Sequence, residues 1–191
     1  RNYVHQHYQE LSRRALQNGD SPEDAVHLMV WPETMFRYPL LTYQPGAVKP
    51  PQYEGTQAQF EEQLRASAQQ SRELLANAAR SYGVYWIVGI DRWFFSAKGR
   101  IELYNSAAFV APDGRLLGCY DKMHPVLFGE YWPLLDRFPE LEKHVPLGAN
   151  IAPGETPACF ELPGPHGLVR LSPNICYETV LPHLLRQQVL R

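Results

Sequence analysis

Long apolar runs are missing from this sequence. The longest, such as VYWIVGI at 84–90, fall far short of the roughly 20 residues that a helix needs to cross a bilayer. An excess of one charge is missing too: 18 Lys+Arg stand against 20 Asp+Glu, giving a net charge of −2 and a pI of about 6.4. That balance supplies no basic field for phosphate backbones, which argues against a nucleic-acid binder. Cysteine is scarce, and Cys119, Cys159 and Cys176 are scattered. A disulfide framework is therefore excluded, as is a structural zinc site, which needs four ligands and usually close pairs. The seven histidines form no pair at metal-ligand spacing on one face, since His5 and His7 point to different sides of a helix. No metal and no cofactor is expected. Repeats and low-complexity tracts are absent as well, and 191 residues at about 150 per domain imply a single core.

The remaining pattern alternates helix and strand. Val4, Tyr8, Leu11 and Ala15 make a helical stripe over 2–17 that ends at Asn18-Gly19, and Ser21-Pro22-Glu23 turns the chain. VHLMVW (26–31) has the length and composition of a buried strand, which Pro32 is expected to end. Residues 34–56, rich in Pro and Tyr without a period, read as a long loop of the kind that is functional or disordered. Residues 57–82 form the clearest helix, with Gly83 just past its end. VYWIVGIDRW (84–93), IELYNSAAFVA (101–111) and RLLGCY (115–120) read as strands, the last two joined by the Pro112-Asp113-Gly114 turn. After a second Pro-punctuated stretch (121–157), CFELP and GLVRLSPNI flank a turn at 163–167, and a helix is expected from Glu178 to Arg191. Such mixing fits a layered α/β or α+β sandwich.

Three polar residues stand at strand exits: Glu33 in WPE, Lys122 in YDKMH and Cys176 in NICYE. Strand ends are where rigid elements bring side chains together on a site. A thiol, a carboxylate and an ammonium suffice for acyl transfer. The thiol attacks a carbonyl, the carboxylate takes its proton, and the ammonium stabilises the oxyanion. Their separation along the chain is too long for a local motif, so composition alone does not show that they converge.

WPE, YDKMH followed by FGE, and NICYE, in that order, resemble the Glu-Lys-Cys signature of the nitrilase, or carbon-nitrogen hydrolase, superfamily. YDKMHPVLFGEYWP is most similar to the apolipoprotein N-acyltransferases, from which His-Pro at 124–125 departs where His-Leu is more usual. The resemblance covers about residues 26–191. It implies an αββα sandwich, with Glu33 as general base, Lys122 on the oxyanion and Cys176 as nucleophile. It further implies that Glu130 and Glu178 are two carboxylates on which activity depends. The backbone N–H of Tyr177 is a candidate second oxyanion donor, and His124 is expected to make a structural hydrogen bond.

Each residue also has a plainer role open to it. Cys119 and Cys159 read as small buried hydrophobes; in an oxidising compartment they can pair, leaving Cys176 as the free thiol. Glu33 fits a turn after Trp-Pro, and Lys122 fits a solvated hairpin end partnered by Asp121. Glu130 either orients the lysine or anchors its loop, the Tyr177 ring packs, and Glu178 caps the following helix. Met35, Phe36, Tyr38, Leu40, Leu41, Phe128, Tyr131, Trp132, Leu134, Leu135 and Phe138 form either a satellite core or an apolar funnel that takes acyl chains or dips into a membrane interface.

The resemblance implies an enzyme working through a cysteine thioester, with a phospholipid as acyl donor and the N-terminal amine of a lipoprotein as acceptor. The chain would then be an extracytoplasmic domain at a bacterial inner membrane, held there by segments outside this sequence. A cytoplasmic amidase acting on a small amide, or a non-catalytic binding domain, are the other readings. Arg1 in place of Met, and a helix running into Arg191, lead to the expectation that residues 1–191 are a partial catalytic domain, inactive and poorly stable alone, with apolar faces uncovered.

Overall fold

The computed structural model describes residues 2–17, 25–132, 135, 150–164 and 166–190. Helix α1 (Asn2–Gln17) follows the stripe read above; its stop at Asn18-Gly19 and the turn at 21–23 lie outside the described residues. Helix α2 (Gln57–Tyr82) is bounded by reciprocal capping at Thr56 and Gln59, and by Gly83, whose φ of 67° lets its N–H reach Ala79 O. It buries Phe60, Leu64, Ala68, Leu75 and Ala79 along one face, each large side chain contributing about 1.5–3 kcal/mol of apolar burial.

Four strands, β1 (Leu28–Tyr43), β2 (Tyr85–Phe95), β3 (Ile101–Val110) and β4 (Leu116–Asp121), lie in that order in one sheet, β1 parallel to β2 and the others antiparallel. β1 corrects the sequence reading. It does not stop at Pro32, and residues 34–43 are strand rather than loop. Proline costs little here because β1 pairs on one side only, with β2, among the described strands. The strand is irregular instead: Trp31 pairs with Val88 and Phe36 with Ile90, so residues 32–35 stand against the single Gly89.

Helices α1 and α2 cover one face of the sheet. Trp31, Phe36, Leu40, Trp86, Val88 and Ile90 pack there against Leu75, Ala79 and Tyr82, with Trp31 Nε1 donating to Ser12 Oγ at 2.9 Å. Against the opposite face, Ile87, Ala107, Phe109 and Tyr120 meet Leu162 and Ile175. Leu162 belongs to a hairpin of β5 (Phe160–Gly164) and β6 (Gly167–Leu171), so helix, sheet and second β layer are stacked in turn. The expected C-terminal helix starts later than predicted: a 3₁₀ turn (Cys176–Val180) precedes α3 (Pro182–Val189), because Pro182 suits a first helical position and not an interior one.

Candidate active site

The bulge in β1 builds the site. A Cβ on Gly89 would stand 2.1 Å from Pro32 O and 2.6 Å from Glu33 Cα, so the bulge leans across β2 where that strand has no side chain. Glu33, on the first strand, thereby reaches the third and fourth. Its Oε1 accepts from Asn105 Nδ2 on β3 and from Lys122 Nζ, 3.3 Å away, just beyond β4.

Lys122 is fully buried and also donates to Glu130 Oε1 at 2.8 Å. Its main chain is clamped on both sides, N to Asn105 O and O to Gly154 N, each at 2.8 Å. Burial works to lower the ammonium's pKa, but the hydrogen bond to Glu130 and the charges of Glu33 and Glu130 outweigh it, so the pKa is raised and the lysine stays charged. Asp121 is not its partner, so the plainer alternative of a solvated hairpin-end pair falls away. Strand alternation turns Asp121 to the other face, where it pairs with Arg92 at 2.6 Å and accepts from Ser106. Glu130 fills both roles left open for it, holding the lysine through Oε1 and anchoring its loop by accepting Val126 N through Oε2 at 2.8 Å.

Cys176 is exposed and lines a cavity of about 330 Å³ together with Glu33, Val30, Gly89, Ala107 and residues 171–175. Lys122 lies behind Glu33 and is not in that lining. Thr34, Phe128 and Cys176 are the non-glycine residues with positive φ among those described, at 51°, 61° and 53°. Each is a site residue or lies within two positions of Glu33 or Glu130. Backbone strain of this kind costs about 1–3 kcal/mol per residue and collects at functional sites.

Glu178 caps the 3₁₀ turn that it sits in, rather than α3, and does more besides. Fully buried in the 3₁₀ turn, it accepts Ile175 N through Oε2 and Met123 N, His124 N and Tyr120 Oη through Oε1, at 2.7–3.1 Å. One carboxylate thus ties the lysine loop to the cysteine turn, and with it raises the pKa of Tyr120, after burial as the larger cause. The Tyr177 ring is 56% exposed, so it does not pack as the plainer reading had it. His124 meets His183 at 3.3 Å across this junction.

Sequence reasoning missed Asn105 and Gly89, since neither stands in a motif; an Asn inside an apolar strand, and a Gly in the apolar run after a strong helix, were the available signals. The apolar set divides. Phe36 and Leu40 belong to the main core, whereas Tyr38 is exposed and so is Phe128, close to Glu130 in the chain; Leu134 and Phe138 lie outside the described residues. All three cysteines are free. Burial pushes the Cys119 thiol up to about 12, aided by Asp121. Iodoacetamide at neutral pH is therefore expected to label Cys176 well before Cys119, as peptide mass mapping over time will show.

The sequence profile described as "Carbon-nitrogen hydrolase" matches residues 1–191. The chain belongs to the carbon-nitrogen hydrolase family. Family membership thus extends over α1, upstream of the motif region. Among curated carbon-nitrogen hydrolase relatives, an apolipoprotein N-acyltransferase of Synechocystis is 42% identical over 89 residues, 46% of this chain and 16% of its own length. One from Geobacter metallireducens is 30% identical over 183 residues, 95% of this chain and 28% of its own. The chain therefore spans under a third of these relatives. Among solved structures, a cysteine-to-serine mutant of an amidase from Nesterenkonia AN1, described as from the nitrilase superfamily, aligns with a TM-score of 0.55 at 18% identity, over 97% of this chain and 54% of that one. A mutant of the same amidase, with acrylamide added at its active site cysteine, gives 0.54 at 17% over 97% and 56%. These likenesses establish the fold.

Proposed function

We propose that this carbon-nitrogen hydrolase domain is an N-acyltransferase that works through a thioester at Cys176. The observation that carries the reading is the shared cavity: Glu33 and Cys176 line it together, with the Lys122 ammonium 3.3 Å from the Glu33 carboxylate. Glu33 takes the thiol proton, and Sγ attacks the ester carbonyl of a phospholipid. An ammonium has three donors; Glu33 and Glu130 engage two of those on Lys122, and in this reading a shift of Glu33 as substrate enters the cavity opens the third to the oxyanion, which Tyr177 N–H also serves. Collapse expels the lysophospholipid alkoxide, which receives the proton from Glu33. The N-terminal amine of a lipoprotein then attacks the thioester, Glu33 takes its proton, and the amide leaves as the thiol is restored.

The names of the relatives, apolipoprotein N-acyltransferases, support acyl transfer to a lipoprotein amine. So does exposed apolar surface at the site, where Leu127, Phe128 and Tyr177 suit a lipid interface at the outer face of a bacterial inner membrane. No helix among the described residues is long and apolar enough to cross a membrane, so attachment would come from other segments. The alternative is an amidase, which the solved neighbours favour; it shares every step to the thioester and differs in using an amide donor and water as acceptor.

Intact-mass spectrometry separates these readings. Incubation with phospholipid vesicles is expected to leave an acyl adduct that is lost in Cys176→Ser and discharged by a peptide with a lipidated N-terminal cysteine. An adduct from small amides alone, discharged by water, supports the amidase, and no adduct from either donor removes both.

A further inference from the structure

We propose that Asn105 is a positioning residue that selects which oxygen of Glu33 acts as the base, an inference that rests on the acyl-transfer reading above. Asn105 sits on β3 between the two halves of the catalytic pair. Its carbonyl accepts Lys122 N at 2.8 Å, and its side-chain Nδ2 donates to Glu33 Oε1. One residue therefore sets the height of the lysine and the rotation of the carboxylate.

Chemistry decides the orientation of the amide. A carboxylate has only acceptors, so the amide must turn its NH₂ toward Glu33, and the flipped form would set oxygen against oxygen. That choice leaves Asn105 Oδ1 buried without a protein partner among the described residues, although Asn105 is only 2% exposed. An unmet buried acceptor is destabilising, and a residue chosen for stability alone would not leave one. The cost is explained if the Nδ2 contact is what matters.

The consequence lies in how the carboxylate is divided. Asn105 Nδ2 and Lys122 Nζ both engage Oε1, which concentrates the negative charge's hydrogen bonds on that atom. Oε2 is left as the oxygen that receives the Cys176 proton and later returns it to the leaving group. A hydrogen bond donated to a carboxylate favours its charged form, and a second carboxylate beside it disfavours that form.

The test compares wild type with Asn105→Ala, which removes the donor, and Asn105→Asp, which keeps the shape and places a second carboxylate beside Glu33. Two rates are followed against pH in the full chain: iodoacetamide alkylation of Cys176, which needs no turnover, and acylation of Cys176 by phospholipid vesicles. The expected result is that the acidic limb of both profiles moves to higher pH, by about one unit in Asn105→Ala and further in Asn105→Asp, so that rates on that limb fall about tenfold or more. A residue that merely supports the fold would lower the amount of active protein without moving the limb. Superposition of the Asn105→Asp profile on wild type overturns the proposal, even if Asn105→Ala fails to fold. A displaced alkylation limb with no acyl adduct in wild type would instead sink the acyl-transfer reading and leave Asn105 as the residue that orients Glu33.

Discussion

Replacing Lys122 with methionine is expected to eliminate measurable acylation of Cys176 and to destabilise the protein in the same stroke. On the proposed mechanism the variant loses an oxyanion donor and the cation that faces Glu33; one such donor alone is worth about 10²–10³ in rate. For stability, two carboxylates that now share an ammonium at 3.3 and 2.8 Å would face each other without one. Removing one partner of a buried pair costs about 3–5 kcal/mol, and the lower end applies because Glu33 and Glu130 keep some contact with water. A second substitution separates the two effects: Glu130→Gln on the Lys122→Met background is expected to recover part of the melting temperature and none of the acylation. The pH dependence has a definite sign. The folded pKa of Lys122 is raised above its ordinary 10.5, so its contribution to stability is complete below that value and is lost as pH climbs through the folded pKa. Wild type should therefore lose its advantage over Lys122→Met in strong alkali, which thermal melts across the alkaline range will show.

Gly89→Ala is expected to reduce acylation about 100-fold while adding a single methyl group. That methyl would meet the Pro32 carbonyl at 2.1 Å and the Glu33 Cα at 2.6 Å, both backbone atoms that no rotamer change can move aside. The bulge must then lift off β2 and carry Glu33 away from Lys122 and Asn105, and a displacement of about 1 Å in a reacting group is enough for a loss of that size. The measurement is the acyl-adduct rate beside the thermal melt. A variant that melts like wild type and acylates at the wild-type rate would show that the bulge does not depend on the missing side chain.

Much of this was legible in the sequence, and the exceptions have physical causes. Helical spacing and Gly83 just past its end placed α2, and β-rich runs around Pro112-Asp113-Gly114 placed β3 and β4. The structure brings Glu33, Lys122 and Glu130 into hydrogen-bond contact and sets Cys176 on the same cavity as Glu33. What failed was the proline rule at Pro32, because β1 pairs on one side only among the described strands and so tolerates a missing donor. The plainer pairing of Lys122 with Asp121 fails because adjacency in sequence is opposition in space along a strand. Asn105 and Gly89 stand out locally only as an Asn inside an apolar strand and a Gly in an apolar run; their roles come from a register in which Glu33 crosses two strands, and no window of sequence contains that crossing.

The positive-φ backbone at Thr34, Phe128 and Cys176 has a consequence for how such a chain can change. Glycine adopts that conformation without the steric penalty, so selection for thermal stability alone would drift toward glycine at these three positions. At Cys176 that drift removes the thiol; at Thr34 and Phe128 it loosens the segments that carry Glu33 and Glu130. A library ranked only by melting temperature would thus enrich proteins that fold better and turn over worse, and these three positions are the ones to hold fixed when the domain is engineered for robustness.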